Sequence, residues 1–282
     1  MTLGQKIKKH RQALGLTQKA LAGDEITRNM LSQIENDSAL PSVGTLKMLA
    51  EKLDVPCGYL LSEKDDLFLF VKMEHHPYLL NLYAEKHYAE CFEEAVRIYG
   101  EDNDSETAFL RCEAACKAAE EALRSGSMET AFRFALEVGV FAPQTQYETS
   151  HLEAVATLVC AVSANPSSPR LEFEEDKYRK LVSSAMREDL FHYLMDDISF
   201  SYKNPAMLRH MRAKKLMQKG DYEQAYALLE GISANPTTEP IGAYVLWRVY
   251  GDMESCAKNK RDFENAYRMS TKRMSLLTAF KS

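Results

Sequence analysis

A short pattern that recurs four times along the chain constrains its fold more than any other feature. In each copy a bulky residue is followed three positions later by a small residue, and an aromatic residue comes directly after that. The four small positions are Cys91, Ala131, Ala225 and Ala266. A small residue at a fixed place in a helix lets a second helix approach closely, so the pattern predicts stacked helix pairs.

The spacing of the four copies indicates how many helix pairs the chain holds. The intervals between the small positions are 40, 94 and 41 residues, and the long one leaves room for one or two further units around 145–200. The segment 219–225 (Lys-Gly-Asp-Tyr-Glu-Gln-Ala) resembles a tetratricopeptide (TPR) repeat. This resemblance implies a TPR-like α-solenoid of about five helix pairs over residues 73–282. An unrelated helical bundle is the alternative.

The composition supports an all-α protein. The 282 residues include only 12 Gly and 9 Pro, which disfavours barrels and sandwiches rich in tight turns. No apolar run is long enough to span a membrane, and the N-terminus runs into charged residues rather than an apolar signal segment. We therefore expect a cytoplasmic protein with no membrane association.

The six cysteines show no C-x-x-C spacing. Cys112 and Cys116 are four residues apart and can share a helix face, but no two further metal ligands lie near them in the sequence. Buried, reduced thiols are therefore the favoured interpretation, and a metal or redox pair is the alternative. We expect no metal and no cofactor.

The charge is unevenly distributed along the chain. Residues 1–64 contain 9 basic and 7 acidic residues, whereas the remaining 218 contain 26 basic and 34 acidic residues. Residues 1–22 hold five basic residues and no acidic one. A basic tip on an acidic body suits nucleic-acid binding, although a solvated helix face would have the same composition.

The first 64 residues read as five short helices. Thr17, Thr27 and Ser42 are suited to begin the second, third and fourth of them, because their side chains can accept backbone N–H bonds at a helix N-terminus. The apolar positions predict a shared core of Ile7, Leu14, Leu21, Met30, Leu31, Ile34, Val43, Leu46, Leu49, Ala50, Leu53, Tyr59, Leu60 and Leu61.

Three motifs in this region resemble the Cro/C1-type (XRE) helix-turn-helix family. They are residues 16–22 (Leu-Thr-Gln-Lys-Ala-Leu-Ala), residues 31–36 (Leu-Ser-Gln-Ile-Glu-Asn), and Pro41-Ser42 followed by Leu46 and Tyr59-Leu60-Leu61. The match covers residues 3–63. It implies a five-helix, lambda-repressor-like DNA-binding domain over residues 1–64, joined by a linker at 65–72 to the helix pairs of 73–282.

The resemblance also implies roles for individual residues on double-stranded DNA. The third helix would lie in the major groove, where Arg, Asn, Gln and Ser side chains can read base edges. The predicted base contacts are Arg28, Asn29, Ser32 and Gln33. The predicted backbone contacts are Gln18, Asn36, Thr17, Thr27, Lys19, Lys6 and Lys9, although the two threonines are better explained as helix caps. Arg11 and Glu35 match a pair that forms an internal ion pair in the family.

A helix-turn-helix domain followed by TPR-like units resembles the Rgg/PlcR-type (RRNPP) regulators of Gram-positive bacteria. This resemblance implies a homodimeric transcriptional regulator whose solenoid binds a short signalling peptide. The candidate groove residues are Asn81, Arg111, Arg209, Arg212 and Arg248. Most other asparagines lie in turns, where Asn165, Asn204 and Asn235 each precede a proline. This weakens the case for a peptide, so a DNA-targeted scaffold that only dimerises or recruits a protein is the alternative.

An enzyme is the least supported class of function. The chain has no phosphate-binding loop and no zinc-protease or serine-hydrolase motif. Its acidic pairs, such as Asp196-Asp197, are adjacent in sequence, and adjacent residues on a helix point in different directions. The sequence therefore predicts no catalytic site.

Overall fold

The computed structural model describes residues 1–63, 66–164, 178, 182–234 and 240–277, and these residues form only helices, turns and loops. The predicted all-α fold is confirmed over these ranges. They divide into two compact units, Met1–Asp102 and Asn103–Ser282. No helix in the described ranges is both long and apolar enough to cross a membrane.

The first unit begins with five short helices. They are α1 (Leu3–Ala13), α2 (Gln18–Ala22), α3 (Arg28–Glu35), α4 (Val43–Leu53) and α5 (Cys57–Leu61). The predicted caps Thr17, Thr27 and Ser42 are confirmed, because each side chain accepts the backbone N–H three residues on. Thr2 caps α1 in the same way. These caps fix where each helix starts.

The core of the five helices matches most of the predicted apolar positions. Its buried residues are Ile7, Leu21, Ala22, Leu31, Ile34, Leu46, Met48, Leu49, Ala50, Leu53, Val55, Tyr59 and Leu60. The expectation was wrong for Leu14, Met30, Val43 and Leu61, which are exposed. Leu14, Val43 and Leu61 lie at or just beyond a helix end, and Met30 lies in the first turn of α3.

Two longer helices complete the first unit. These are α6 (Leu67–Ala84) and α7 (Tyr88–Tyr99), and they pack against each other. Of the predicted linker at 65–72, residue 65 lies outside the described residues and the part from Leu67 onward is helical. The division of the chain into domains at residues 64–73 stays a prediction.

The second unit is a succession of helices that pack on their neighbours in sequence. They are α8 (Ser105–Arg124), α9 (Met128–Phe141), a 3-10 turn (Ala142–Gln144), α10 (Ser150–Ser163), α11 (Ser184–Leu194), α12 (Pro205–Gln218), α13 (Tyr222–Ser233), α14 (Pro240–Asn259) and α15 (Phe263–Ser275). The helices α10 and α11 occupy the long interval for which further units were predicted. Residues 165–177 and 179–181 of that interval lie outside the described residues.

The four small residues of the repeated pattern lie where the pattern predicts. Cys91, Ala131, Ala225 and Ala266 begin the second turn of α7, α9, α13 and α15, and all are buried. Each of these helices packs against the helix that precedes it in sequence. The absence of a large side chain at these positions permits the close approach of the two helices.

The turn within each of these four pairs also recurs. The residue two positions before the second helix has positive φ in every case: Lys86 (66°), Gly126 (81°), Gly220 (80°) and Arg261 (59°). This left-handed backbone favours glycine, which has no Cβ. Two of the four turns hold a lysine or arginine there instead, so the geometry of the turn is retained more strictly than its sequence.

Candidate nucleic-acid interface

Helix α3 is held in place by an unusually close approach of α1. A Cβ atom at Gly4 would lie 2.2 Å from the carbonyl oxygen of Ile34, so only glycine fits between the two helices. The Asp37 carboxylate, just after α3, accepts the backbone N–H of Gly4 at 3.0 Å and the hydroxyl of Thr2 at 2.5 Å. The start of α1 is thereby tied to the end of α3.

A buried ion pair also holds α3, at Glu35. Arg11 donates to both carboxylate oxygens of Glu35, from Nε at 2.5 Å and from Nη2 at 3.0 Å, and also to the carbonyl of Leu16. The predicted pair is therefore present. Gln18 donates to Glu35 at 2.9 Å, so the carboxylate connects α1, α2 and α3.

The electrostatics of this pair favour its charged state. Burial acts to raise the pKa of Glu35, but hydrogen bonds from Arg11 and Gln18 outweigh it and hold that pKa below its usual value. The hydrogen bond to Glu35 raises the pKa of Arg11. Both groups are therefore ionised at neutral pH, and the pair is strengthened by the bidentate geometry.

With its inner face fixed, α3 presents a polar outer face to solvent. Arg28, Asn29 and Gln33 are exposed, Ser32 is half-buried, and Asn36 is exposed just beyond the helix. These four types of side chain carry the donors and acceptors that pair with base edges in a major groove. All four predicted base-contacting residues are thus accessible on one short helix or its edge.

The predicted backbone contacts divide into accessible and inaccessible residues. Lys9 and Lys19 are exposed, whereas Lys6 is fully buried and its Nζ donates to the carbonyl oxygens of Tyr59 and Ser62 at 2.7 and 2.8 Å. The assignment of Lys6 to a DNA phosphate is therefore wrong. Lys6 instead connects α1 to the end of α5.

Thr17, Thr27 and Gln18 have structural partners. The hydroxyls of the two threonines accept N–H groups at the starts of α2 and α3, and the Gln18 amide is bound to Glu35. The capping interpretation of the threonines is confirmed. Their exposed N-terminal turns still leave backbone N–H groups near the surface, where a phosphate can bind.

The sequence reasoning missed three residues of this site. Lys8 is exposed beside Lys9 on α1, and it adds positive charge that lowers the pKa of Glu35. Gly4 and Asp37 position α3, yet their roles depend on contacts between helices 30 or more residues apart. Only the exposed lysine had a sequence signal, since it is part of the basic run in α1.

The five candidate groove residues are scattered. Asn81 is exposed on α6 in the first unit, and Arg209 and Arg212 are exposed on α12. Arg111 is buried in α8, with its guanidinium carbon 5.0 Å from the centre of the Phe141 ring. The assignment of Arg111 to an accessible groove is therefore wrong, because helix packing encloses it.

Arg248 is committed to a polar network rather than to open surface. Its guanidinium donates to the carbonyl of Tyr193 at 2.6 Å and pairs with the carboxylate of Asp196. Lys214 also reaches Asp196, at 2.7 Å. The expectation that Arg248 is available to a peptide carboxylate is corrected: its side chain is 11% exposed and already paired.

Comparison with known proteins identifies the N-terminal region. Residues 4–66 match a family model described as a helix-turn-helix domain. Among curated proteins, no sequence matches the chain significantly.

Three solved structures resemble the chain over most of its length. PlcR of Bacillus thuringiensis, in complex with the peptide PapR7 and DNA, is 20% identical, covers 99% of this chain and 96% of its own, and has a TM-score of 0.26. ComR of S. thermophilus, in complex with DNA and its signalling peptide ComS, is 13% identical. That match covers 99% of this chain and 80% of ComR, with a TM-score of 0.27. The Streptococcus dysgalactiae pheromone receptor Rgg2 is 12% identical, with 95% and 98% covered and a TM-score of 0.24. TM-scores this low do not establish a shared arrangement of helices.

Proposed function

We propose that this helix-turn-helix protein is a sequence-specific, DNA-binding transcriptional regulator in which α3 reads the major groove. One observation carries the proposal: the inner face of α3 is fixed by Gly4, Asp37 and Glu35, while its outer face exposes Arg28, Asn29 and Gln33. A rigid helix with base-reading side chains is what direct readout requires.

The roles within the interface follow from side-chain chemistry. Arg28 can donate two bonds to guanine, Asn29 or Gln33 can pair with adenine, and Ser32 can contact either base. Lys8, Lys9 and Lys19 are compact positive charges suited to phosphates, which set affinity and salt dependence but do not read sequence.

Replacement of Arg28 tests the reading role. We expect Arg28→Ala to abolish preference for one base pair of the site, at a cost of roughly 1–3 kcal/mol in binding free energy. Fluorescence anisotropy on the specific site and on single-base variants measures this loss. Arg268→Ala is the matched control, because Arg268 is an exposed arginine on α15. The reading role is refuted if Arg28→Ala discriminates between the sites as well as wild type does.

Replacement of Lys9 tests the phosphate role. We expect Lys9→Ala to weaken all sites alike and to reduce the slope of log affinity against log salt by about one. A loss that depends on the base sequence would instead place Lys9 at a base edge.

The second part of the proposal concerns the helix pairs. We propose that they dimerise the protein and sense a short peptide. A two-fold dimer would bind a palindromic site whose half-sites lie about 34 Å apart, or a multiple of that. The alternative is a DNA-targeted scaffold in which the helix pairs only dimerise or recruit a protein.

The two alternatives differ in their response to diffusible ligands. We would measure anisotropy on DNA from upstream of the protein's own gene, with and without the low-molecular-weight fraction of spent culture medium. A protease-sensitive shift in affinity supports peptide sensing. Specific binding that ignores the fraction supports the scaffold.

A further inference from the structure

A cluster of one cation and two flat rings lies in the second unit. It consists of His151 on α10, Trp247 on α14 and Arg273 on α15. The rings of His151 and Trp247 stack, with centroids 5.8 Å apart and planes 20° apart. The guanidinium carbon of Arg273 lies 4.1 Å from the centre of the Trp247 ring. Two consecutive helices, α14 and α15, thus meet the distant helix α10 in one cluster.

The guanidinium of Arg273 packs against the backbone of α14 at Gly251. Gly251 lies one turn after Trp247, on the same face of the helix. A Cβ atom at Gly251 would lie 3.3 Å from the guanidinium carbon of Arg273 and 3.4 Å from its Nε, which is tighter than an ordinary contact. Arg273 is therefore held against bare backbone and an indole ring, so much of the entropy cost of ordering its side chain is already met before a ligand binds.

The charge of Arg273 is not neutralised within the described part of the chain. Over residues 1–63, 66–164, 182–234 and 240–277, Arg273 has no ion pair, and its buried Nε–H donates to no acceptor. By contrast, Arg248 on the neighbouring helix is paired with Asp196. The Nε–H of Arg273 is itself enclosed. Its two Nη groups are not buried and have no acceptor among the described residues, so they are the donors that a ligand can reach.

Charged groups of both signs lie near His151. Burial lowers the pKa of His151, and the positive charges of Arg273 and Lys117 lower it further, while Glu148 acts in the opposite direction. The imidazole is therefore neutral at pH 7 and keeps one N–H donor. Lys117 is itself paired with Glu120, at 2.8 Å, which leaves Arg273 as the uncompensated charge.

We propose that Arg273, Trp247 and His151 form a recognition site for the carboxylate group of a small ligand. Arg273 donates in parallel to the two oxygens, Trp247 holds the guanidinium in place, and His151 supplies a further donor. One uncompensated guanidinium matches the single charge of a carboxylate better than a doubly charged phosphate. The C-terminus of a short peptide and a free small carboxylic acid are the two sources of such a group. The role of this cluster in sensing depends on the proposed function, in which the helix pairs sense a ligand.

The native protein carries its own reporter for this site. Trp247 is the only tryptophan in the sequence, so its emission monitors the cluster directly. The probes are N-acetyl-leucine and a pool of tryptophan-free random heptapeptides, each with a free C-terminal carboxylate or as the C-terminal amide. We expect the acids to change Trp247 emission with at least about tenfold higher affinity than the amides. Tighter binding of the heptapeptide acids than of N-acetyl-leucine identifies a peptide, and equal binding identifies a free acid.

A pair of variants tests whether Arg273 is the recognising group. Arg273→Gln should lose the preference for acids, whereas Arg268→Gln, an exposed arginine on the same helix, should keep it. Circular dichroism checks that both variants are folded. The assignment is overturned if acids and amides act alike on the wild-type protein, a null response to both included, or if the preference survives in Arg273→Gln.

DNA anisotropy separates failure of this site from failure of the proposed function. An Arg273-dependent response of Trp247 with no change in DNA affinity would support the carboxylate site and refute its use in sensing. A culture fraction that shifts DNA affinity equally in wild type and Arg273→Gln would support sensing and overturn this cluster as the sensor.

Discussion

The two compact units use buried arginines in different ways. In the first unit, Arg11 is paired with one carboxylate, Glu35, whose side chain is almost fully enclosed. In the second, Arg248 shares the half-exposed Asp196 with Lys214. Arg11 thus depends on one enclosed carboxylate, while Arg248 belongs to a network of several charged groups. A concentrated pair fixes one helix rigidly, and a spread network tolerates the loss of a member.

That network extends further into the second unit. The hydroxyl of Tyr193 lies 2.6 Å from Nδ1 of His210, whose Nε2 lies 2.7 Å from the Asp252 carboxylate. Lys214 lies 3.7 Å from the same carboxylate. Polar contacts therefore join α11, α12 and α14, and they do so with residues up to 55 positions apart.

Removal of a carboxylate from each unit should give the largest contrast. Glu35→Ala leaves Arg11 buried without its acid, and we expect a loss of roughly 3–5 kcal/mol in the free energy of unfolding of the first unit. Asp196→Ala should cost roughly 1 kcal/mol or less, because the Asp196 side chain is half-exposed to solvent whereas that of Glu35 is enclosed. Urea unfolding followed by circular dichroism measures both. Equal losses would show that the two units are not different in this respect.

A glycine replacement tests whether close helix approach contributes as much as charge to the rigidity of the first unit. Gly4→Ala forces a Cβ against the Ile34 carbonyl, and we expect a loss of roughly 1–3 kcal/mol or more together with weaker DNA binding. Gly44→Ala is the matched control on α4, where the nearest atom is 3.8 Å away. That change should be neutral or stabilising by roughly 0.5–1 kcal/mol. Similar thermal midpoints for the two variants would contradict the role of Gly4.

The recurrent turns of the helix pairs should respond with opposite signs. Gly220→Ala places a Cβ on a left-handed residue and should destabilise by roughly 1 kcal/mol. Arg261→Gly relieves the same strain in the equivalent turn and should stabilise by roughly 0.5–1 kcal/mol. Thermal unfolding monitored by Trp247 emission follows this unit. The same sign for both changes would mean that the two turns are not equivalent.

Acidification should lower the stability of the two units in different pH ranges. We expect this effect to be smaller than those of the substitutions, because no atom is removed. The pKa of Glu35 is lowered in the folded protein, so its contribution is present above about pH 4.3, the unfolded value, and is lost as pH falls through the folded value. Burial lowers the pKa of His210, against the opposing effect of Asp252, and Arg248 and Lys214 add to the lowering. Since the unfolded state binds that proton more readily, the second unit should begin to lose stability below about pH 6.5.

The single tryptophan separates these two transitions. Trp247 emission reports the second unit, and circular dichroism reports both. We expect the emission to respond at higher pH than the remaining loss of helix. If the first unit unfolds at a higher pH than that at which Trp247 emission changes, the assignment of the two pH ranges to the two units is wrong.

How much the sequence reveals depends on the distance over which an interaction acts. Thr17, Thr27 and Ser42 cap helices through bonds to residues three positions later in the sequence. Such caps can be predicted from a short stretch of sequence. The small residue of each helix pair can also be predicted, because its pattern is short and recurs four times along the chain. The pair of Arg11 and Glu35 was predictable only through its place in a family motif.

Interactions between distant helices were not predictable. The sequence predicts Lys6 to be a surface cation, because it lies in a basic run. Its amine instead donates to two carbonyl oxygens at the end of α5, 53 and 56 residues away. Arg248 and Arg273 are alike in the sequence, and only packing shows that the first is paired and that the second has no ion pair with any described residue. Candidate ligand residues were therefore the weakest part of the sequence reasoning, because accessibility and pairing are properties of the assembled helices.

Burial of the thiols has a consequence for chemical labelling. Burial raises the pKa of Cys91 and Cys256 to about 11 and that of Cys112 to about 12, and it raises the pKa of Cys116 as well, while Cys160 is buried too. Cys57 is only partly buried, so a maleimide dye should attach there selectively. Cys57 belongs to the first unit and Trp247 to the second. Energy transfer between tryptophan and dye would then follow the separation of the two units in the unaltered sequence.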